Sequence, residues 1–139
     1  MESKRKQDLA FGLKKETEIV DKIKDFWKNE VNIVNTKEIY DEYCVYDFES
    51  ESGTSWEVKS RKVNKTQYYT TILKVHKIRK DTDKDQFFIF NFLNKCCYIK
   101  YDKDLFDTFD ITDITCYRDG RKEVAPHYHI PVYKLTDMY

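Results

Sequence analysis

Glycine and proline are nearly missing from this chain, with 3 and 2 among 139 residues. So few breakers leave no flexible linker, low-complexity stretch or visible boundary, and one domain over residues 1–139 is expected. Long apolar runs are lacking too. None reaches the roughly 20 residues of a membrane-spanning helix, and there is no signal-peptide pattern. Cysteine is sparse: Cys44, Cys96, Cys97 and Cys116 form no CxxC pair and no zinc spacing. They read as reduced structural thiols, so an intracellular location is expected: cytoplasm, nucleus or, for a viral protein, the host cell. Net charge is absent, with 25 basic against 25 acidic side chains, so the overall balance selects no partner. Arginine (5) and alanine (2) are scarce beside 20 lysines, a bias that AT-rich coding produces. What is plentiful is aromatic: 11 Tyr and 9 Phe are ample to anchor one core.

The most informative stretch is residues 43–62. Two apolar, aromatic-rich runs flank a polar Ser/Gly segment, which predicts two strands and a turn. A three-residue loop, Glu51-Ser52-Gly53, with Gly in the left-handed position sets the register. Phe48 then faces Trp56, Tyr46 faces Val58, and Asp47 lies opposite Glu57. Residues two apart share a strand face, so Glu57 and Lys59 project together, away from Trp56 and Val58. Like charges directly opposite on a ladder repel. Carboxylate oxygens are hard ligands suited to Mg2+, and a neighbouring lysine can hold a water or stabilise charge on a phosphate.

Upstream, Leu9, Leu13, Val20, Ile23 and Trp27 recur at helical spacing, with Ile19 and Phe26 widening the stripe. Glu16 falls in the gap between Leu13 and Val20 and points toward the core side, where a carboxylate needs a cation. Charge is also segregated. Residues 36–57 hold seven acids and one base, whereas residues 58–80 hold eight bases and no acid. The basic members are Lys59, Arg61, Lys62, Lys65, Lys74, Lys77, Arg79 and Lys80. Such a strip attracts a polyanion such as a phosphate backbone, and Tyr68 and Tyr69 within it fit stacking on unpaired bases and packing on the core equally well.

The rest of the chain reads coarsely. A second helix is expected from Asn64 or Thr66 to Arg79, with Tyr69, Ile72, Leu73 and His76 on one side. Phe87 to Leu93 should be a central strand covered on both faces, followed by a strand over Cys96 to Tyr101 and a short helix from Asp104. Ile111 to Tyr117, the turn Arg118-Asp-Gly-Arg121 and His129 to Tyr133 predict a closing hairpin, with Pro131 marking an edge strand. His127 and His129 share a face of that strand but lack further ligands. The order of elements predicts an α/β fold: a mixed β-sheet flanked by helices, with a C-terminal β extension.

Asp47 followed by Glu57-Val58-Lys59 resembles the PD-(D/E)XK nuclease superfamily, with Tyr46 in place of the proline. The resemblance spans roughly residues 9–101 and implies a restriction-endonuclease-like fold. It implies a Mg2+-dependent endonuclease, with Mn2+ as substitute, acting on nucleic acid and most readily on DNA. Asp47, Glu57 and the Val58 carbonyl would hold the metal. Lys59 would position or activate water, and Glu16 would complete the metal site as the first-helix glutamate. Arg61, Lys62, Lys65, Tyr68, Lys74 and Lys77 would contact the nucleic acid. The chain is also similar to phage-type Holliday junction resolvases, which implies a homodimer for that subclass. The alternative is a catalytically silent nucleic-acid-binding or structural protein that has kept the fold.

Overall fold

The computed structural model describes residues 18–36 and 46–138. Glu16 and Cys44 lie outside them. Helix α1 covers residues 18–26 and ends where Trp27 N–H bonds to the Ile23 carbonyl. Six strands form one mixed sheet: β1 (Val34–Asn35), β2 (Phe48–Glu49), β3 (Ser55–Ser60), β5 (Gln86–Asn91), β6 (Cys96–Lys100) and β9 (Thr136–Asp137). Their order is β1-β2-β3-β5-β6-β9. β3 and β5 run parallel and the other neighbours antiparallel. A second, antiparallel sheet contains β4 (Thr70–Lys74), β8 (Arg121–Pro131) and β7 (Asp110–Arg118), in the order β4-β8-β7. The short helix α2 (Lys103–Phe106) is capped by Asp102, whose carboxylate accepts from the N–H groups of Asp104 and Leu105. This is a mixed α/β protein dominated by sheet, with few helices. No helix among the described residues is long and apolar enough to cross a membrane.

The two faces of the large sheet bury different partners. Phe48, Trp56, Phe87 and Ile89 share one face and pack against Ile19 and Ile23 of α1. Phe88, Phe90, Cys97 and Ile99 share the other and pack against Leu73, Tyr128 and Ile130 of the second sheet and Phe106 of α2. β5 therefore sends alternate side chains into two cores, which is why its sequence is apolar at nearly every position. The expected central strand is present.

The hairpin register also agrees with the sequence reading. Phe48 pairs with Trp56, and Ser50 N–H bonds to the Thr54 carbonyl, closing a loop of Glu51, Ser52 and Gly53. Gly53 takes φ +92°, a left-handed conformation that side chains rarely adopt. The second turn, Asp119-Gly120, has both residues at positive φ, as a two-residue primed turn requires.

Two expectations are corrected. The segment expected to be the second helix is β4 followed by a 3-10 turn at Val75–Lys77. Thr70, Thr71 and Ile72 are β-branched, and β8 supplies a ladder that a helix there would leave unpaired. The crossover from β3 to β5 thus passes through a second sheet, which together with the short α2 covers the face opposite α1. The strand holding Pro131 is not an edge: β8 lies between β4 and β7. Pro131 is its last residue, and Pro126 precedes the segment that β4 covers. Neither proline interrupts the ladder to β4.

The hairpin turn is held from outside by Glu30. Its carboxylate accepts from Ser50 Oγ at 2.7 Å, Ser52 Oγ at 2.8 Å and Thr54 Oγ1 at 3.0 Å. Burial disfavours the charge, but the three hydroxyl donors outweigh it and hold the carboxyl below its ordinary range. A lowered folded pKa gives stability that is full above the ordinary carboxylate value and lost as pH falls through the folded one. Glu30→Gln should therefore cost about 1 kcal/mol at neutral pH, and its loss of stability on acidification should be shallower than wild type. Urea unfolding followed at several pH values between 3 and 7, set against ordinary carboxylate values of about 4, measures both.

Candidate active site

β3 lies inside the large sheet, and its two faces have opposite chemistry. Trp56 goes to the α1 core. Glu57 and Lys59 project toward the second sheet, at the end where β2 stops pairing. The regular β2–β3 ladder ends at Phe48. Beyond it, Asp47 N–H bonds to the Trp56 carbonyl at 2.9 Å, and Asp47 Oδ2 accepts from Val58 N–H at 2.8 Å. The carboxylate thus takes the place of a backbone acceptor and is fixed against β3. A residue's N–H and C=O leave an extended strand on the same side, so the Val58 carbonyl projects toward Asp47 as well.

Asp47 and Glu57 are each only 6% exposed. Burial pushes the Glu57 carboxyl above its ordinary value, and the adjacent Asp47 carboxylate pushes it further. Two ammonium groups oppose this. Lys59 Nζ lies 3.2 Å and Lys77 Nζ 3.6 Å from Glu57 Oε1. Burial also lowers the pKa of Lys59, with Glu57 working against the shift and Lys77 adding to it. An acid shifted up beside an amine shifted down is a pattern of perturbation common at acid–base sites.

Lys77 was expected on an outer phosphate-binding strip. It comes instead from the 3-10 turn that follows β4 and reaches the buried carboxylate. The sequence signal for this was the β-branched run 70–72, which makes a strand and swings the following turn over the sheet. Arg79 is nearby. Its guanidinium stacks on Tyr46 at 4.2 Å and donates to Ser55 Oγ at 2.8 Å. Buried Gln86 clamps the Arg79 backbone, its Oε1 accepting from the N–H and its Nε2 donating to the carbonyl, each at 2.9 Å.

The other strip residues are dispersed. Arg61 is largely buried, stacks 5.6 Å from the Phe90 ring and donates to Thr71 Oγ1 and the Ile72 carbonyl. Lys65 Nζ contacts Asp137 at 2.6 Å, and Lys74 Nζ contacts Glu123 at 2.8 Å. Lys62 and Tyr68 are exposed. Tyr68 borders a cleft of about 240 Å3 with Arg61, Thr70, Ile72, Phe92 and Val132. His127 is buried, with its Nδ1 2.8 Å from the Ala125 carbonyl, and His129 Nε2 lies 2.6 Å from Thr112 Oγ1. The two histidines therefore have separate partners, and His127 is not the exposed edge residue that was expected.

Among the described residues no three His, Cys, Asp or Glu side chains cluster as a metal site. Asp47 and Glu57 are two hard carboxylates, with the Val58 carbonyl alongside. That set fits Mg2+, which takes one or two carboxylates and completes its shell with water and phosphate oxygens.

No protein-family model matches the chain, and it matches no curated protein and no solved structure.

A divalent cation held there would compete with a proton for Glu57, whose pKa is raised above the ordinary carboxylate value. Mn2+ should therefore raise the Tm more as pH increases through the Glu57 titration, and Glu57→Gln should remove both the gain and its pH dependence. Thermal unfolding with and without Mn2+ at stepped pH measures this. A gain that persists unchanged in Glu57→Gln would place the metal elsewhere.

Proposed function

We propose that the protein is a metal-dependent endonuclease that hydrolyses phosphodiester bonds, most readily of DNA, on a restriction-endonuclease-like core. The observation that supports this reading best is the convergence of Asp47, Glu57 and Lys59 on one end of β3. Two buried carboxylates that repel each other and a lysine of lowered pKa are assembled by a hairpin and followed by a parallel crossover. Buried carboxylates raise the energy of the apo protein, and a bound cation would relieve that cost.

When bound, Mg2+ would supply Lewis-acid stabilisation of the phosphate. The protein's own groups do the rest. Asp47, fixed by Val58 N–H, and Glu57 hold the cation. Lys59, with its lowered pKa, accepts a proton from the attacking water or orients it. Lys77, 3.6 Å from Glu57, would lie close enough to a phosphate in the site to stabilise the charge that develops there. Phosphate contacts outside the site come mainly from exposed Lys62, since Arg61, Lys65 and Lys74 have partners within the chain.

One observation favours a second reading. Glu57 already has two ammonium groups within 4 Å, and a carboxylate so neutralised also suits a catalytically silent binding module.

Cleavage of duplex, single-strand, flap and four-way-junction DNA and of RNA, with Mg2+ or Mn2+, separates the two. Lys59→Ala should lower cleavage by about 10²–10³-fold, the usual cost of removing one transition-state donor, while binding persists. Lys77→Ala should cost less and leave the metal-induced Tm gain intact. Binding of every substrate without cleavage of any would favour the silent module. Lys62→Ala should flatten the salt dependence of DNA binding by about one unit of log–log slope, and Lys65→Ala should leave it unchanged.

A further inference from the structure

β7 is a nine-residue strand at the edge of the second sheet, and its outer side has no partner strand among the described residues. It is exposed along almost its whole length, including Ile111 at 51% and Tyr117 at 76%. It holds two Thr, two Ile and one Tyr and no proline or lysine, and its charges are Asp110 and Arg118 at the ends and Asp113 within. Edge strands usually carry such blocking features, or are short, because unpaired N–H and C=O groups template association.

The hairpin geometry fixes which groups face outward. A two-residue loop closes on a hydrogen-bonded pair, here Arg118 and Arg121. Antiparallel pairs alternate, so Cys116, Ile114, Thr112 and Asp110 direct their backbone groups at β8. Ile111, Asp113, Thr115 and Tyr117 direct theirs outward.

We propose that β7 pairs antiparallel with β7 of a second copy of this chain, on a two-fold axis at Ile114. An isologous pair requires position i to meet j and j to meet i. Only even position sums let outward groups meet outward groups. A sum of 226 sets Asp113 against Asp113, a like-charge pair. A sum of 230 sets Asp113 against Tyr117 and runs Ile111 past the strand end. A sum of 228 sets Ile111 against Tyr117 and Asp113 against Thr115, with Asp110 opposite Arg118. It joins the two most exposed apolar residues of the strand and uses all four outward-facing positions. The two three-stranded sheets become one of six strands. This inference does not depend on the reading of the Asp47–Glu57 site.

The register makes a covalent test possible. Ile114 would face its own copy in a non-hydrogen-bonded pair, with Cα atoms about 4.5 Å apart, which a disulfide spans. Ile114→Cys should form a dimer under mild oxidation, and Thr115→Cys, two residues out of register with itself, should not. Thr112→Cys should crosslink to native Cys116 of the other copy, and adding Cys116→Ser should remove that link. Thr115→Pro deletes an outward N–H and leaves the β8 ladder intact. It should convert a dimer of wild-type protein to a monomer in sedimentation analysis, with an unchanged circular dichroism spectrum. A wild-type monomer, or a dimer that survives Thr115→Pro without Ile114→Cys crosslinking, would overturn the proposal.

Discussion

Two carboxylates are buried side by side, and much of the structure serves to make that tolerable. Asp47 and Glu57 sit at the end of an interior strand, where solvent does not screen them. Each unpaired charge would cost several kcal/mol there. The chain supplies three compensations. Val58 N–H binds Asp47. Lys59 comes from the same strand as Glu57, because a spacing of two keeps both on one face. Lys77 comes from the 3-10 turn that follows β4 of the other sheet. The third of these requires the second sheet to dock correctly, so the site and the larger core depend on each other.

That dependence explains why part of the arrangement was legible in the sequence and part was not. The β2–β3 hairpin rests on local rules: Gly53 at the turn, aromatic partners Phe48 and Trp56, and alternation along Ser55–Ser60. These fix Asp47, Glu57 and Lys59 relative to one another without knowledge of the rest. β5 was legible because an unbroken run of apolar residues has only a doubly buried strand to occupy. Residues 64–79 were not legible. Their lysines and leucine fit a helix pattern about as well as a strand pattern, and the pairing with β8, some fifty residues away, decides between them. The placement of Lys77 beside Glu57 is not legible in the sequence for the same reason. Its destination depends on a strand that only the tertiary structure reveals.

The prolines show the same limit from the other side. Pro131 argued for an edge strand because a proline cannot donate to a ladder. Yet a proline in an interior strand costs nothing where its missing N–H has no acceptor to meet, and Pro126 and Pro131 sit at the two ends of the segment that β4 covers. Between them, His127, Tyr128 and His129 are paired on both sides, with β4 and with β7, and are buried or nearly so. Proline placement here marks the ends of the covered segment and does not mark the strand as peripheral.

The basic segment 58–80 was first read as a surface for a polyanion, and the structure gives most of it other work. Arg61 joins β3 to β4, Lys65 joins the following loop to β9, Lys74 joins β4 to β8, and Arg79 joins the crossover to β2 and β3. Each contact ties together elements that are distant in sequence, which suits long side chains with a fixed charge at the tip. A cluster of like charges therefore does not accumulate as an external field. Lys65 and Lys74 meet the acids Asp137 and Glu123, while Arg61 and Arg79 meet hydroxyls, a carbonyl and aromatic rings. Under the proposed reading, a phosphate in the site would meet Lys59 and Lys77, and exposed Lys62 would lie outside it. Both meet the one carboxylate, Glu57, that a divalent cation would need to claim. A cation at Glu57 would release both ammonium groups at once, so cation binding and phosphate binding would be favourably coupled.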